Sequence, residues 1–285
     1  MGKRFGILRK RKREKETEAT IDLGYEKTYQ IETPEGCGIG IGKLHGIGRR
    51  NQQQDAFGTS ELKEEVIESK GVLAILADGM GGLSDGEKAS MATVISCLNY
   101  FETHNMDEET PACFVEMAKN ANMEVKEVLG SASGSSGSTL AAALVKERKI
   151  FWVSVGDSRV FLWRDGELTQ ISQDHNYAAQ LREMVEAGDV DEEDANSDPQ
   201  RNALTSYIGI SSLEQIDYNE EAIEAESGDR ILLLSDGVYN SVTEEELADS
   251  MQLPLSRAMM RVGMQVEEKR KKNQDNYTAI VLEIK

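Results

Sequence analysis

Residues 71–90 read GVLAILADGMGGLSDGEKAS. The run Val72-Leu73-Ala74-Ile75-Leu76 is apolar throughout and short, which predicts a buried strand. It stops at Ala77-Asp78, Gly79-Met80-Gly81-Gly82 follows, and a helical pattern begins at about Asp85. A carboxylate placed where a buried strand stops is held rigidly and still reaches solvent. Glycines beside it remove side-chain bulk, so backbone carbonyls approach a ligand closely. Oxygen ligands at such a place suit a hard divalent cation. The plain alternative is a strand-to-helix turn with a surface Asp. The choice rests on how many later strands end the same way.

Several do. Lys149 to Val155 is followed by Gly156-Asp157-Ser158-Arg159. Ile231 to Leu234 is followed by Ser235-Asp236-Gly237. Asn273-Gln274-Asp275-Asn276 stands just before a terminal strand, Tyr277 to Ile284. Upstream, Gly48-Arg49-Arg50-Asn51-Gln52-Gln53-Gln54-Asp55 is either a solvated loop or an anion-binding Arg beside a metal-binding Asp. A forked, always-charged guanidinium is the natural grip for a phosphoryl group. No Cys–His pairing supports zinc. Carboxylates with backbone oxygen point instead to magnesium or manganese. Two such ions about 4 Å apart activate a bridging water and clamp an in-line phosphoryl displacement. The residues alone therefore suggest metal-assisted phosphate-ester hydrolysis.

The totals narrow the partners. With 285 residues, 39% hydrophobic, the chain has room for one large domain or two small ones. A net charge of −19 repels phosphate backbones and anionic lipid, so neither nucleic acid nor membrane is expected as a partner. Cys37, Cys97 and Cys113 form no CxxC pair and are odd in number, which reads as reduced thiols in a cytoplasmic protein. No apolar run is long enough for a membrane helix. Residues 1–20 carry Lys3, Arg4, Arg9, Lys10, Arg11, Lys12, Arg13 and Lys15 with no apolar core after them. That is a disordered basic tail rather than a signal peptide, or else a docking arm for an acidic surface.

The remaining elements follow from pattern. Gly36 to Gly48 reads as a first hairpin. Residues 86 to 103 predict a helix burying Met91, Val94, Ile95, Leu98 and Phe101. A second begins at Thr110-Pro111, buries Phe114, Met117, Ala121, Val125 and Val128, and stops at Gly130. Ser131 to Ser138 is a linker by composition, or a loop, since strands Thr139 to Val145 and Lys149 to Val155 follow at once. Asp165-Gly166 marks a hairpin between Val160 to Trp163 and Leu168 to Ile171. Residues 174–228 are polar, acidic and partly helical (Ala178 to Ala187), an inserted flap rather than a domain. His175 within it reads as a hydrogen-bonded structural residue. Thr243 to Glu246 is a capping box, and a last helix runs from Leu255 to Lys271.

Taken together, Arg50 with Asp55, ADGMGG, GST, VGDSR, DH, SDG and the late QDN resemble the metal-dependent protein phosphatases of the PPM or type 2C group, bacterial branch. The resemblance spans about residues 40–285, within a domain taken as 21–285. It implies an α+β fold, a four-layer α-β-β-α sandwich of two antiparallel sheets flanked by helix pairs, with the flap at 174–228. It implies two Mn2+ or Mg2+ ions and a third, weaker one. Asp78 would bridge the pair, the Gly79 carbonyl and Asp55 would serve one ion, and Asp236 and Asp275 the other. Asp157 would serve the third. Arg50 would orient the phosphate, and a metal-bridging hydroxide would attack phosphorus with no phosphoenzyme. Arg50, Asp78 and Asp236 would be the catalytic set. The implied substrates are phosphoserine and phosphothreonine proteins, a Ser/Thr kinase among them, acted on by a monomer. Gln53-Gln54-Asp55 stands where the group has Asn-Gln-Asp or Asn-Glu-Asp, and Met80 where animal relatives have His. The alternatives are a non-catalytic phosphoprotein-binding module on the same fold, or a phosphatase of small esters.

Overall fold

The structure, a computed structural model, describes residues 20–22, 28–34, 38–82, 84–106, 110–269 and 271–285. The basic tail up to residue 19 and Cys37 lie outside the described residues. The chain opens with β1 (Thr20–Asp22), β2 (Thr28–Glu32), β3 (Ile39–Gly46), β4 (Asp55–Thr59), α1 (Glu64–Lys70) and β5 (Val72–Met80). The helix pair α2 (Asp85–Thr103) and α3 (Thr110–Leu129) follows. Then come β6 (Gly137–Ser138), β7 (Leu140–Lys146), β8 (Lys149–Val155), β9 (Arg159–Arg164) and β10 (Glu167–Gln170). After α4 (Tyr177–Ala187), α5 (Glu192–Ser197), β11 (Asp217–Tyr218) and β12 (Ile223–Glu224) comes β13 (Arg230–Leu234). The chain closes with α6 (Asp236–Tyr239), α7 (Glu244–Met251), α8 (Leu255–Glu268) and β14 (Tyr277–Ile284).

Two sheets form, with every strand pairing antiparallel. One runs β1-β4-β5-β7-β8-β11, with β6 added to β5 and β12 to β8; the other runs β10-β9-β13-β14-β3-β2. Successive side chains of a strand point to opposite faces. Val72, Ala74 and Leu76 join Ile231, Leu233, Ile280 and Leu282 between the sheets. Leu73, Ile75 and Ala77 instead pack under α2 and α3, against Val94, Leu98, Phe114 and Met117. On the second sheet Leu232, Leu234 and Val281 face Leu247, Met259 and Val262 of α7 and α8. Strands apolar at every position are thus apolar because both of their faces are covered. Each Leu or Ile so buried contributes roughly 1.5–3 kcal/mol. The layers stack α-β-β-α.

Several boundaries differ from the sequence reading, each for a physical reason. The strand carrying Asp78 does not stop at Ala77; it runs to Met80 because Gly79 and Met80 pair with Ser138 and Gly137. The serine-rich stretch is therefore no linker, and Ser136 and Ser138 are buried. Of the glycine-interleaved 36–48 stretch, Ile39–Gly46 forms one strand, β3, which pairs antiparallel with β2. Gly40 and Gly42 serve α8: a Cβ on Gly42 would meet Met259 Cγ at 2.8 Å. Ile95 and Val128 are exposed, and Cys97 and Leu129 fill those positions instead. The last helix ends at Glu268, before Lys271. The capping box at Thr243 is present, with Glu246 N–H donating to Thr243 Oγ1 and Thr243 N–H to Glu246 Oε2. Within 174–228, α4 and α5 stand off the sandwich, while β11 and β12 rejoin the edge of β8. No described helix is long and apolar enough to cross a membrane.

Candidate active site

Antiparallel pairing decides which strand ends meet. β4 begins where β5 ends, and their register sets Asp55 directly opposite Asp78. β8 runs parallel to β5 with β7 between, so Asp157 emerges at the same end. In the facing sheet the end of β13 and the start of β14 lie side by side, which brings Asp236 and Asp275 there too. Five carboxylates distant in sequence thereby share one mouth of the sandwich.

Asp55 is the most enclosed of them, 3% exposed. Its Oδ2 accepts hydrogen bonds from Thr278 Oγ1 (2.6 Å) and Ser235 Oγ (2.9 Å). The side chain of one sheet is thus tied to hydroxyls of the other. Its Oδ1 is buried with no hydrogen-bond partner among the described residues. Asp78 is half-buried and held by its backbone: its N–H donates to Thr139 Oγ1 at 2.9 Å. Its carbonyl accepts from Thr139 N–H (2.8 Å) and Ser138 Oγ (3.1 Å). The GST segment is therefore the clamp on Asp78, and Thr139 continues to Ser158, beside Asp157, at 2.7 Å. Gly79 N–H donates to Gln54 O at 3.0 Å. A Cβ there would lie 2.2 Å from Gly86 O, so only glycine lets these backbones approach.

Arg50 and Asp275 form an ion pair at 2.5 Å, with side chains 52% and 36% exposed. The guanidinium therefore sits at the rim, reachable by a solvent-borne anion. Asp275 Oδ1 accepts from Asn276 N–H at 2.9 Å. Asn276 in turn staples the Arg50 loop, donating to Ile47 O (2.9 Å) and Gln52 O (3.1 Å) and accepting from Gln54 N–H (2.8 Å). Gln274 does the same for the Asp236 turn, donating to Gly237 O at 3.0 Å. Asp157 lies beside a buried assembly: Arg159 forks Asp174 at 3.0 and 2.8 Å and stacks over the Tyr239 ring at 3.9 Å. His175 Nδ1 accepts from Gly156 N–H at 3.2 Å, so its proton is on Nε2, and burial lowers its pKa.

The acids at the mouth resist ionisation. Burial, then the charges of Asp275, Asp157 and Asp55, pushes Asp236 up to about 7, with Arg50 opposing. Burial raises Asp55 to about 6 against the pull of its hydroxyl partners. Burial and Asp174 raise Asp157 to about 6, and Asn176 pulls back. Asp78 is held well above the carboxylate range by burial and by Asp55, Asp236, Asp157 and Asp275. Negative charge gathered in this way is relieved by a cation. Among the described residues no three His, Cys, Asp or Glu side chains are drawn into a ready-made cage. The donor set nonetheless fits a hard divalent ion: all oxygen, with one buried carboxylate oxygen lacking a partner.

The strand ends bring Asp55, Asp78, Asp157, Asp236 and Asp275 to one end of the two sheets, with Gly79 following Asp78 and Arg50 paired to Asp275. Sequence reasoning missed the residues that hold them: Thr139, Ser235, Asn276 and Thr278. The signal was there in part, as polar residues flanking the acids or interrupting an apolar strand.

A family model described as "Protein phosphatase 2C" matches residues 42–274. Over 198 residues the chain is 33% identical to the serine/threonine protein phosphatase PstP of Mycobacterium tuberculosis (strain ATCC 25618 / H37Rv), covering 67% of this chain. The match spans 36% of that relative's length. The solved serine/threonine phosphatase of S. agalactiae superposes with a TM-score of 0.75 at 28% identity, covering 87% of this chain and 100% of that one. The catalytic domain of PstP solved in complex with two manganese ions superposes with a TM-score of 0.68 at 25% identity, covering 86% and 97%.

Proposed function

The chain belongs to the protein phosphatase 2C family, and from that premise we propose that it is a metal-dependent protein phosphatase acting on phosphoserine and phosphothreonine. The observation that carries the reading is Asp55 set opposite Asp78, with a buried, partnerless oxygen at the mouth where Asp236 and Asp275 also arrive. Asp55, Asp78, the Gly79 carbonyl, Asp236 and Asp275 would hold a pair of Mn2+ or Mg2+ ions, and Asp157 a weaker third. The manganese pair in the PstP catalytic domain supports that assignment. When bound, such ions lower the pKa of water and screen phosphoryl oxygens.

The chain's own residues supply the rest. Arg50, at the rim beside Asp275, forks the phosphoryl oxygens and orients the ester. It also stabilises charge spreading over those oxygens as the ester bond breaks. The nucleophile is water: of the described cysteines, Cys97 is buried on the core face of α2 and Cys113 lies on α3, bonded to Asn105 O, so neither of these thiols belongs to the mouth. Asp174 to about residue 228 borders Asp157 and serves as a flap over the substrate's approach. The natural substrates are phosphoproteins, a Ser/Thr kinase among them, and the enzyme acts as a monomer.

The test is direct. Asp78→Asn and Asp236→Asn, with circular dichroism unchanged, abolish manganese-dependent hydrolysis of p-nitrophenyl phosphate and of a phosphothreonine peptide. Near wild-type rates in either variant would overturn the assignment. Release of phosphate from small esters but not from the peptide would overturn the protein-substrate reading alone.

A further inference from the structure

We infer that His45 is a positioning residue for the metal centre, acting through Thr278 to fix which oxygen of Asp55 remains available to a cation. This rests on the reading of Asp55 as a metal-holding carboxylate. His45 is one of three histidines and is fully buried near the end of β3, between β14 and β2 of the second sheet. It stands directly opposite Thr278 in the β3–β14 register. Its Nδ1 lies 2.8 Å from Thr278 Oγ1, which lies 2.6 Å from Asp55 Oδ2.

A hydroxyl has one proton to give, and an ionised carboxylate only accepts. The Thr278 proton therefore goes to Asp55, and His45 must donate from Nδ1–H. That fixes both the tautomer and the direction of the chain, from His45 through Thr278 to Asp55. Ser235 Oγ donates to the same Oδ2 and itself accepts from Thr278 N–H at 2.9 Å. Oδ2 is thus committed to two donors, while Oδ1 has none. The imidazole also meets the ring of Phe57 edge-on at 5.1 Å, two residues along the strand from Asp55. Without the Nδ1–H, the Thr278 hydroxyl is free to rotate, and the commitment of Oδ2 loosens. Groups that orient a metal ligand in this way typically change affinity by about 10–100-fold when lost.

The experiment is calorimetric titration of Mn2+ into the full chain. The wild type is compared with His45→Asn, His45→Gln, His45→Leu, Thr278→Val and the double variant His45→Leu/Thr278→Val, with folding checked by circular dichroism and melting. Asn places an N–H where Nδ1 stands; Gln places it where Nε2 stands. Expected are binding within about threefold of wild type for His45→Asn, and about tenfold weaker for His45→Gln, His45→Leu and Thr278→Val. The double variant binds no more weakly than Thr278→Val alone, because one pathway is broken once. Wild-type affinity in His45→Leu, equal loss in a folded His45→Asn, or additive losses in the double variant would overturn the inference. If His45→Leu does not fold, the Asn–Gln contrast decides. A wild type that binds no Mn2+ would sink the underlying reading instead, a different and separately visible failure.

Discussion

Two sets of buried acids sit in this molecule and are handled in opposite ways. Asp229 and Asp174 lie away from the carboxylate cluster or at its edge, each in the fork of an arginine. Arg164 reaches Asp229 at 2.8 and 2.6 Å, and Arg159 reaches Asp174 at 3.0 and 2.8 Å. Glu283 is held likewise by Arg230. Asp55, Asp78, Asp157 and Asp236 are instead crowded by one another, and the pKa of each is pushed upward. An acid buried in the fork of an arginine belongs to the architecture, whereas Asp275, whose partner Arg50 is half exposed at the rim, sits with the mouth acids. Acids whose neighbours are other acids are unstable as a group until a cation joins them. The difference is the physical ground, independent of any relative, on which the proposed site is placed at that end of the sandwich.

The largest effect that would break this contrast is catalytic. Asp78→Asn should lower the manganese-dependent rate by at least about 10³-fold, roughly 4 kcal/mol of lost transition-state stabilisation. The same variant in EDTA should melt no lower than wild type, because it replaces an acid whose ionisation burial and the neighbouring acids disfavour. Asp229→Asn should behave in reverse, with activity nearly intact and stability lower by roughly 2–3 kcal/mol. That is less than the full penalty of an orphaned buried charge, because Arg164 is 29% exposed and keeps Glu226. Denaturant midpoints and initial rates on both variants check it. If both lose stability equally, the two sets are not distinct.

Much of this contrast was legible in the chain and some was not. The strands Leu73 to Leu76 and Ile231 to Leu234 declared themselves because burial on both faces leaves no polar position. The acids at their ends stood out against that background. Gly40 and Gly42 misled because their purpose is remote: they admit α8, which begins more than two hundred residues later. Gly137–Ser138 misled for the same reason, since flexible composition says nothing about pairing with Gly79–Met80. The roles of Ser235 and Thr278 depend on two sheets facing each other, and no local pattern encodes that distance.

The pH response sharpens the contrast with a sign. Asp55, Asp157 and Asp236 have folded pKa values of about 6, 6 and 7, above the unfolded carboxylate range near 4. The folded state therefore holds protons that the unfolded state releases. Their stabilising contribution is complete below about pH 4 and is lost as pH rises through 6 to 7. In EDTA the wild type should melt higher at about pH 5 than at about pH 8, and Asp236→Asn should flatten that slope. With saturating Mn2+ the slope should reverse, because protons compete with the cation for the same oxygens. Melting curves at several pH values with and without the ion decide it. An identical slope in both conditions would mean the mouth acids do not repel one another.

The smallest effect concerns a third kind of acid. Glu246 pairs with Lys269 on the surface, with side chains 33% and 40% exposed. The contact is as close as that between Arg230 and Glu283, where both partners are far more enclosed. If proximity set the energy, the two pairs would be worth the same. Water and salt screen the exposed pair, so Lys269→Ala should cost at most about 0.5 kcal/mol, and less in high salt. Lys269 is the group to remove, because Glu246 also caps α7 through Thr243 and its loss would mix two effects. Arg230→Ala should cost several times more, since it strands Glu283 and frees the carbonyls of Met251 and Leu253. Equal losses in the two variants would show that enclosure does not separate the arginine-held acids from the surface ones, and the ranking of all three kinds would fall with it.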